Sequence, residues 1–291
     1  MRRRKYAITN LDGTVAINFD NKTYTKSLLD LGSIEANLAT YIGAGQAGQT
    51  ITARNYGTRD VTIEGYVLAD NEEEMKSRKA TLQKVIVPTT DFYLVIDDRY
   101  RLRITATSTL QYETDWYVNC ELLTKFTIEG TCSNPFFETI QEQQASITGW
   151  IKDFHFPYCN PVGQKFTFGH RSTSKIVDLR NESEVETGMI ITFKAVAGTI
   201  VSPSLMNVNT GEELVIEATL ESGEEVQVNT GYGVKSCRNT TLDENWLQHV
   251  SLDSTWLQMP VGLSSFRYDY DETSTGTLEC NVYYTPQLIE V

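Results

Sequence analysis

Val61-Thr-Ile-Glu-Gly-Tyr-Val67, then Asn71-Glu-Glu-Glu-Met75 running on to Val85-Ile-Val-Pro88, then Phe92-Tyr-Leu-Val-Ile96, is the stretch that decides the fold of the first half of the chain. Apolar and polar residues alternate through 61–67, which is the period of a strand with one wet face. Asn71 is the expected N-cap, with Glu74 three residues on, so side-chain acceptors meet the orphan N–H groups of a first turn. Glu72, Glu73 and Glu74 favour the positive end of the helix dipole. Met75, Leu82, Val85 and Ile86 recur at helical spacing, which predicts a helix from Glu72 to about Val87 lying on a sheet and stopped by Pro88. After it, 92–96 reads as a buried strand. One helix is bracketed by strands.

Outward from this centre the chain reads as β. Tyr100, Leu102, Ile104 and Ala106 share one face, as do Val118, Cys120, Leu122, Phe126 and Ile128. These predict a long antiparallel hairpin with its tip at Tyr112–Trp116, closing on Thr131-Cys-Ser-Asn-Pro-Phe-Phe137. Upstream, Val15, Ile17 and Phe19 with a turn at Asp20-Asn-Lys22 predict a starting strand pair. Downstream, 138–165 is polar and proline-interrupted, the expected linker. Beyond it Met189–Ala195, Leu214–Leu220, Glu225–Asn229, Phe266–Tyr270 and Leu278–Tyr284 are strand-length segments separated by turn signals, the pattern of an antiparallel sandwich. The expected domains are 1–138, a linker at 139–165, and 166–291.

Composition excludes several function classes. Of 291 residues, 40% are hydrophobic and 22% charged, the balance of a globular chain. Net charge is −13, and the basic cluster is confined to Arg2–Lys5, so a phosphate-binding face is not expected. No apolar run approaches the roughly 20 residues that span a bilayer. Cys120, Cys132, Cys159, Cys237 and Cys280 are scattered and read as reduced, buried thiols of a cytoplasmic chain. His155, His170 and His249 sit in no metal spacing and beside no nucleophile motif, so neither metal nor cofactor is expected. Glu72–Glu74, Glu184/Glu186 and Asp269/Asp271 read as solvated faces or helix-end charges rather than an acid–base pair. Gly43-Ala-Gly-Gln-Ala-Gly48 mimics a dinucleotide fingerprint, but Gln49–Arg54 after it is β-like where that motif needs a helix, so it reads as a hairpin tip. No catalytic residue is expected. Trp246 and Trp256 are the candidate contact residues, for carbohydrate stacking or a partner surface, or else members of the core.

Taken together these segments resemble the distal tail proteins of long non-contractile-tailed phages and their prophages. The resemblance rests on Arg59-Asp-Val-Thr-Ile-Glu-Gly-Tyr-Val67, the 73–87 helix with Leu82 and Pro88, and Phe126-Thr-Ile-Glu-Gly-Thr-Cys-Ser-Asn-Pro-Phe-Phe137 in the first half. In the second it rests on Gly188–Lys194, Ser202–Glu212, Val228-Asn-Thr-Gly-Tyr-Gly-Val-Lys235, Asp253-Ser254 and Leu263. It implies a mainly β chain: an N-terminal β-sandwich with one α-helix and a long hairpin that builds a ring, and a C-terminal galectin-like or carbohydrate-module-like sandwich. It also implies a structural hub of the virion tail tip, assembled in the host cytoplasm, rather than an enzyme. The implied partners are five further copies in a homo-hexamer, the tail tube protein, tail-associated lysin, fibre or baseplate proteins, and the tape-measure protein. DNA would pass through the ring without specific binding, aided by the acidic balance. The alternative is a carbohydrate-binding protein acting through its C-terminal sandwich.

Overall fold

The computed structural model describes residues 4–115, 117, 119–120, 122–146, 150–152, 169–171 and 175–291. The chain divides into two units, residues 1–140 with 288–291, and residues 141–287.

Unit 1 contains β1 (Tyr6–Asn10), β2 (Ala16–Asn18), β3 (Tyr24–Asp30), β4 (Ala36–Tyr41), β5 (Thr50–Tyr56), β6 (Arg59–Leu68), α1 (Glu72–Val85), β7 (Asp91–Ile96), β8 (Tyr100–Ala106), β9 (Gln111–Tyr112), β10 (Leu123–Cys132) and β11 (Phe137–Thr139). Its main sheet runs β2-β1-β7-β8-β10-β6-β3, antiparallel throughout. Alternation decides which face is buried: Val61, Ile63 and Val67, Phe92, Leu94 and Ile96, Leu102, Ile104 and Ala106, and Phe126 and Ile128 all enter one core with Ile8 and Ile17. Seven strands span roughly 29 Å, whereas a helix is only about 10 Å across, so α1 cannot cover that face alone. The sheet curls instead, and α1 packs against both β1 and β6, which are separated by three strands in the sheet order.

The helix begins as its sequence dictates. Asn71 Oδ1 accepts from the Glu74 N–H at 2.8 Å, and Glu74 Oε2 reaches back to accept from the Asp70 N–H at 2.9 Å. Met75, Leu82 and Val85 are its buried residues. It ends at Val85 rather than Val87, because Ile86 leaves helical geometry as the C-cap and its N–H closes on Leu82 O.

Unit 2 is a sandwich. One sheet runs β12-β26-β16-β21-β22-β23, formed by Gln143–Ser146, Thr277–Tyr284, Thr187–Ala197, Glu225–Asn229, Ser236–Asn239 and Glu244–Asn245, with β24 (Gln258–Met259) on β16. The other runs β15-β25-β18-β19, formed by Ile176–Asn181, Gly262–Asp269, Ser204–Asn207 and Glu213–Val215. Phe193, Val228 and Cys280 from the first sheet meet Leu205, Leu214 and Phe266 from the second in one core. Short pairs complete it: β13 (Trp150–Lys152) with β14 (Gly169–Arg171), and β17 (Ile200–Val201) with β20 (Thr219–Leu220).

Three expectations change. Leu214–Leu220 is not one strand: β19 pairs with β18 and β20 with β17, and the chain turns between them, where the Ala218 N–H donates to Ile216 O at 2.8 Å. Cys120 and Leu122 do not extend β10, which starts at Leu123 and leaves both exposed, while Trp116 and Val118 lie outside the described residues. Nor do β8 and β10 form one continuous hairpin; they share only Gly130↔Ala106 and Thr131↔Thr105, because beyond Ala106 the partner of β10 is β9, and the start of β8 pairs on that edge with β11 through Tyr100 and Arg101. The 139–165 linker lies largely outside the described residues.

Residues 288–291 come back to unit 1, where Leu288 and Val291 pack on the core. Buried Arg59 donates through Nη2 to Ile289 O at 2.7 Å, and its guanidinium lies over the Phe137 ring at 4.9 Å.

Candidate functional site

The feature that unit 1 leaves unexplained is the arm made by β4 and β5. Every residue of both strands is exposed. The two strands pair only with each other, from Ala36↔Tyr56 through Leu38↔Arg54 to Tyr41↔Thr50, with Thr52 bulged out and its hydroxyl donating to Ala39 O at 3.1 Å. At the base, the Tyr56 ring stands edge-on to Phe136, centroids 5.0 Å apart. At the tip the glycine run closes on itself: the Gly43 N–H donates to Gln46 Oε1 at 3.0 Å, and Gln46 Nε2 donates to Thr50 Oγ1 at 2.9 Å. Gly45 and Gly48 hold φ of +75° and +81°, where other residues are strained. The motif that mimics a dinucleotide fingerprint is thus a hairpin tip, as its β-like continuation indicates.

An isolated two-stranded ribbon is marginal in water, since it has no second layer to bury its side chains. This one also exposes Leu38 by 48%, Tyr41 by 63% and Ile42 by 66%. Residues 36–56 contain a single charged side chain, Arg54. Long, uncharged strand edges are the surfaces on which other chains pair, and globular proteins usually guard them with lysine or proline. Here neither is present, so the chemistry of the arm is that of an assembly contact.

The carboxylates singled out in the sequence have local structural roles. Glu72 and Glu73 stand in the first turn of α1 beside Glu74. Asp269 pairs with Lys175 at 2.6 Å, and Asp271 accepts from the Thr273 N–H and hydroxyl at 2.9 and 2.7 Å. Among the described residues no three His, Cys, Asp or Glu gather as a metal site, and no helix is long and apolar enough to cross a membrane. Cys132, Cys237 and Cys280 are buried, and desolvation pushes the Cys132 thiol up to about 12 and that of Cys237 to about 11. Cys120 is exposed, against expectation, because it lies before the first residue of β10. His155 and Cys159 fall outside the described residues. His249 is half-buried against Trp246.

The two tryptophans have different surroundings. Trp246 is 8% exposed within the unit 2 core, its Nε1 donating to Glu244 at 3.2 Å. Trp256 is half-buried at the edge of that core, with Lys235 Nζ over its ring at 5.5 Å. Tyr232, which sequence reasoning passed over, lies in the same neighbourhood: Lys235 Nζ is 5.8 Å from its ring as well. The available signal was the Gly231-Tyr-Gly233 triplet, an aromatic at the head of a turn.

Two mainly β units, one of them carrying an unpartnered arm, define a protein built for assembly. Residues 12–132 match the phage tail protein RIFT-related domain, and residues 182–287 match the C-terminal domain of the siphovirus-type tail component. The chain belongs to the siphophage distal tail protein family, as its sequence motifs suggest, and is a structural component of the phage tail tip. No curated protein sequence matches it. Among solved structures it is similar to SPP1 Dit, described as a paradigm of the hub adsorption apparatus in phages infecting Gram-positive hosts, with a TM-score of 0.66 at 11% identity over 97% of this chain and 98% of that one. It is also similar to a chain of the phage P2 baseplate in its activated, calcium-bound conformation, with a TM-score of 0.53 at 12% identity over the full length of both.

Proposed function

We propose that the chain closes into a homo-hexameric ring at the tail tip and that the β4–β5 arm makes the ring contact. The observation that carries this reading is the complete exposure of a nearly uncharged ribbon. A heterologous contact, arm of one copy on the body of the next, generates a closed ring with a central opening. Above the ring the reading puts the tail tube protein and the tape-measure protein. Below it come baseplate, fibre or lysin proteins, toward which a galectin-like unit 2 faces. The role is structural and involves no catalytic step. Assembly takes place in the host cytoplasm. An acidic lumen would let DNA pass without counterion-release binding.

Light scattering on the full chain over a concentration series, alone and with tail tube protein added, tests this reading. It expects a species of six times the monomer mass and annular particles in negative stain. Leu38→Asp combined with Ile51→Asp is expected to return the chain to monomer while leaving its circular dichroism unchanged. A monomer under every condition, or a hexamer indifferent to those substitutions, overturns the arm as the ring contact.

A further inference from the structure

Unit 2 carries a cluster that ring formation does not use. Tyr232, at the head of the 230–235 turn, is 70% exposed, and Trp256 is half-buried nearby. Lys235 Nζ lies within 6 Å of both rings, at 5.8 and 5.5 Å, so the two aromatics approach a single point in space. A third group joins them, since the Tyr232 hydroxyl donates to Glu186 Oε1 at 3.3 Å. The arrangement is stapled from beneath. Gln258 Nε2 donates both to Thr230 O at 2.8 Å and to Trp256 O at 3.1 Å, tying the turn to the segment that carries the tryptophan into β24. Gly188 lets the turn settle on β16, because a Cβ there would lie 2.4 Å from Gly231 Cα. The scaffold is fixed while Tyr232 is left in solvent between two glycines.

We infer that Trp256, Tyr232, Lys235 and Glu186 form a saccharide-binding subsite. An aromatic face that attracts an ammonium attracts any positively polarised hydrogen, and the axial C–H bonds of a pyranose present a flat array of them. The lysine marks where such a ring sits. Displaced sideways, its ammonium donates to sugar hydroxyls while the Glu186 carboxylate accepts from them. This gives one apolar stacking surface and a few polar groups that fix orientation, the usual construction of a small-ligand site. Lys235, Glu186 and Gln258 border the rings with polar groups that suit a polyhydroxylated ligand.

The test is saturation-transfer NMR on the full chain with tetrasaccharides of glucose, N-acetylglucosamine and rhamnose. The expected result is transfer to the ring C–H protons of at least one of them. Tyr232→Ala should weaken binding at least about tenfold, equivalent to about 1.4 kcal/mol, and Lys235→Met should weaken it less. Trp256→Phe keeps an aromatic ring there with a smaller face and should weaken binding, whereas Trp246→Phe, in the core, is expected to leave saccharide binding unchanged. No transfer from any of the three, or binding that survives Tyr232→Ala and Trp256→Phe together, overturns the subsite. The arm substitutions distinguish this from the ring reading: they abolish the hexamer and leave saccharide contact intact, whereas Tyr232→Ala leaves the hexamer intact.

Discussion

Gly65 faces Phe126 across the β6–β10 ladder, and a Cβ there would meet Thr25 O at 2.4 Å and the Phe126 ring at 2.7 Å. The glycine is therefore a space requirement of the packed sheet, and Gly65→Val is expected to cost about 2–3 kcal/mol, read as a lower urea midpoint with an unchanged slope. Asp91 gives a pH signature. It accepts from the Thr105 hydroxyl at 2.6 Å and from Arg103, and the first of these is the main cause holding its carboxyl below the ordinary range. A depressed carboxyl contributes stability that is present above its unfolded pKa of about 3.9 and is lost as pH falls through the lower folded value. Thr105→Val should therefore shrink the loss of stability of unit 1 on acidification below about pH 4, measured by denaturant melts across pH. For the thiols the prediction concerns access. At about pH 8 an aromatic disulfide reagent should label Cys120 at once, whereas Cys132, Cys237 and Cys280 should react only as the chain unfolds. Rapid labelling of Cys132 would contradict its burial.

Among the elements, α1 was legible because four independent signals agree over 71–88: cap, acidic first turn, apolar spacing and proline stop. Asn71→Ala should cost about 1 kcal/mol by removing one acceptor, with the fold otherwise unchanged. The strands that bury one face were legible for the same reason, since β6, β7 and β8 alternate cleanly. The arm was legible only as a glycine-rich hairpin tip, because both of its faces are exposed and no alternation marks a fully exposed ribbon. Its low charge over 36–56 was the usable signal. The start of β10 misled because Cys120 and Leu122 continue its apolar period without being in the sheet, and periodicity alone does not report where pairing stops. The clustering of Tyr232 with Trp256 was not legible, since it depends on a turn and an irregular segment 24 positions apart meeting through Gln258. Protease nicking within 42–49 is expected in the dilute chain and should be suppressed on assembly, because an arm seated on a neighbour loses access to the enzyme.

At the scale of the whole molecule, charge opposes association. Copies that each carry −13 repel one another, and the arm approaches with one arginine and no carboxylate. Raising ionic strength from about 0.02 M to about 0.15 M shortens the Debye length to about 8 Å, so salt should promote ring formation, seen as a rise in weight-average mass. Arg54→Glu should oppose it. Dissociation by salt would instead identify an interface held by ion pairs.

The acceptor of Arg59 stands 230 positions downstream, at Ile289. A ribosome adding about 5–20 residues per second needs on the order of 10–50 s to travel that distance. For the part of that interval that follows residue 140, the rest of unit 1 has been made, yet its buried guanidinium lacks the carbonyl of Ile289. The unit translated first is therefore the unit finished last. A polypeptide interrupted anywhere in unit 2 carries its defect in unit 1, which makes completion of translation a checkpoint for the surface from which the arm extends.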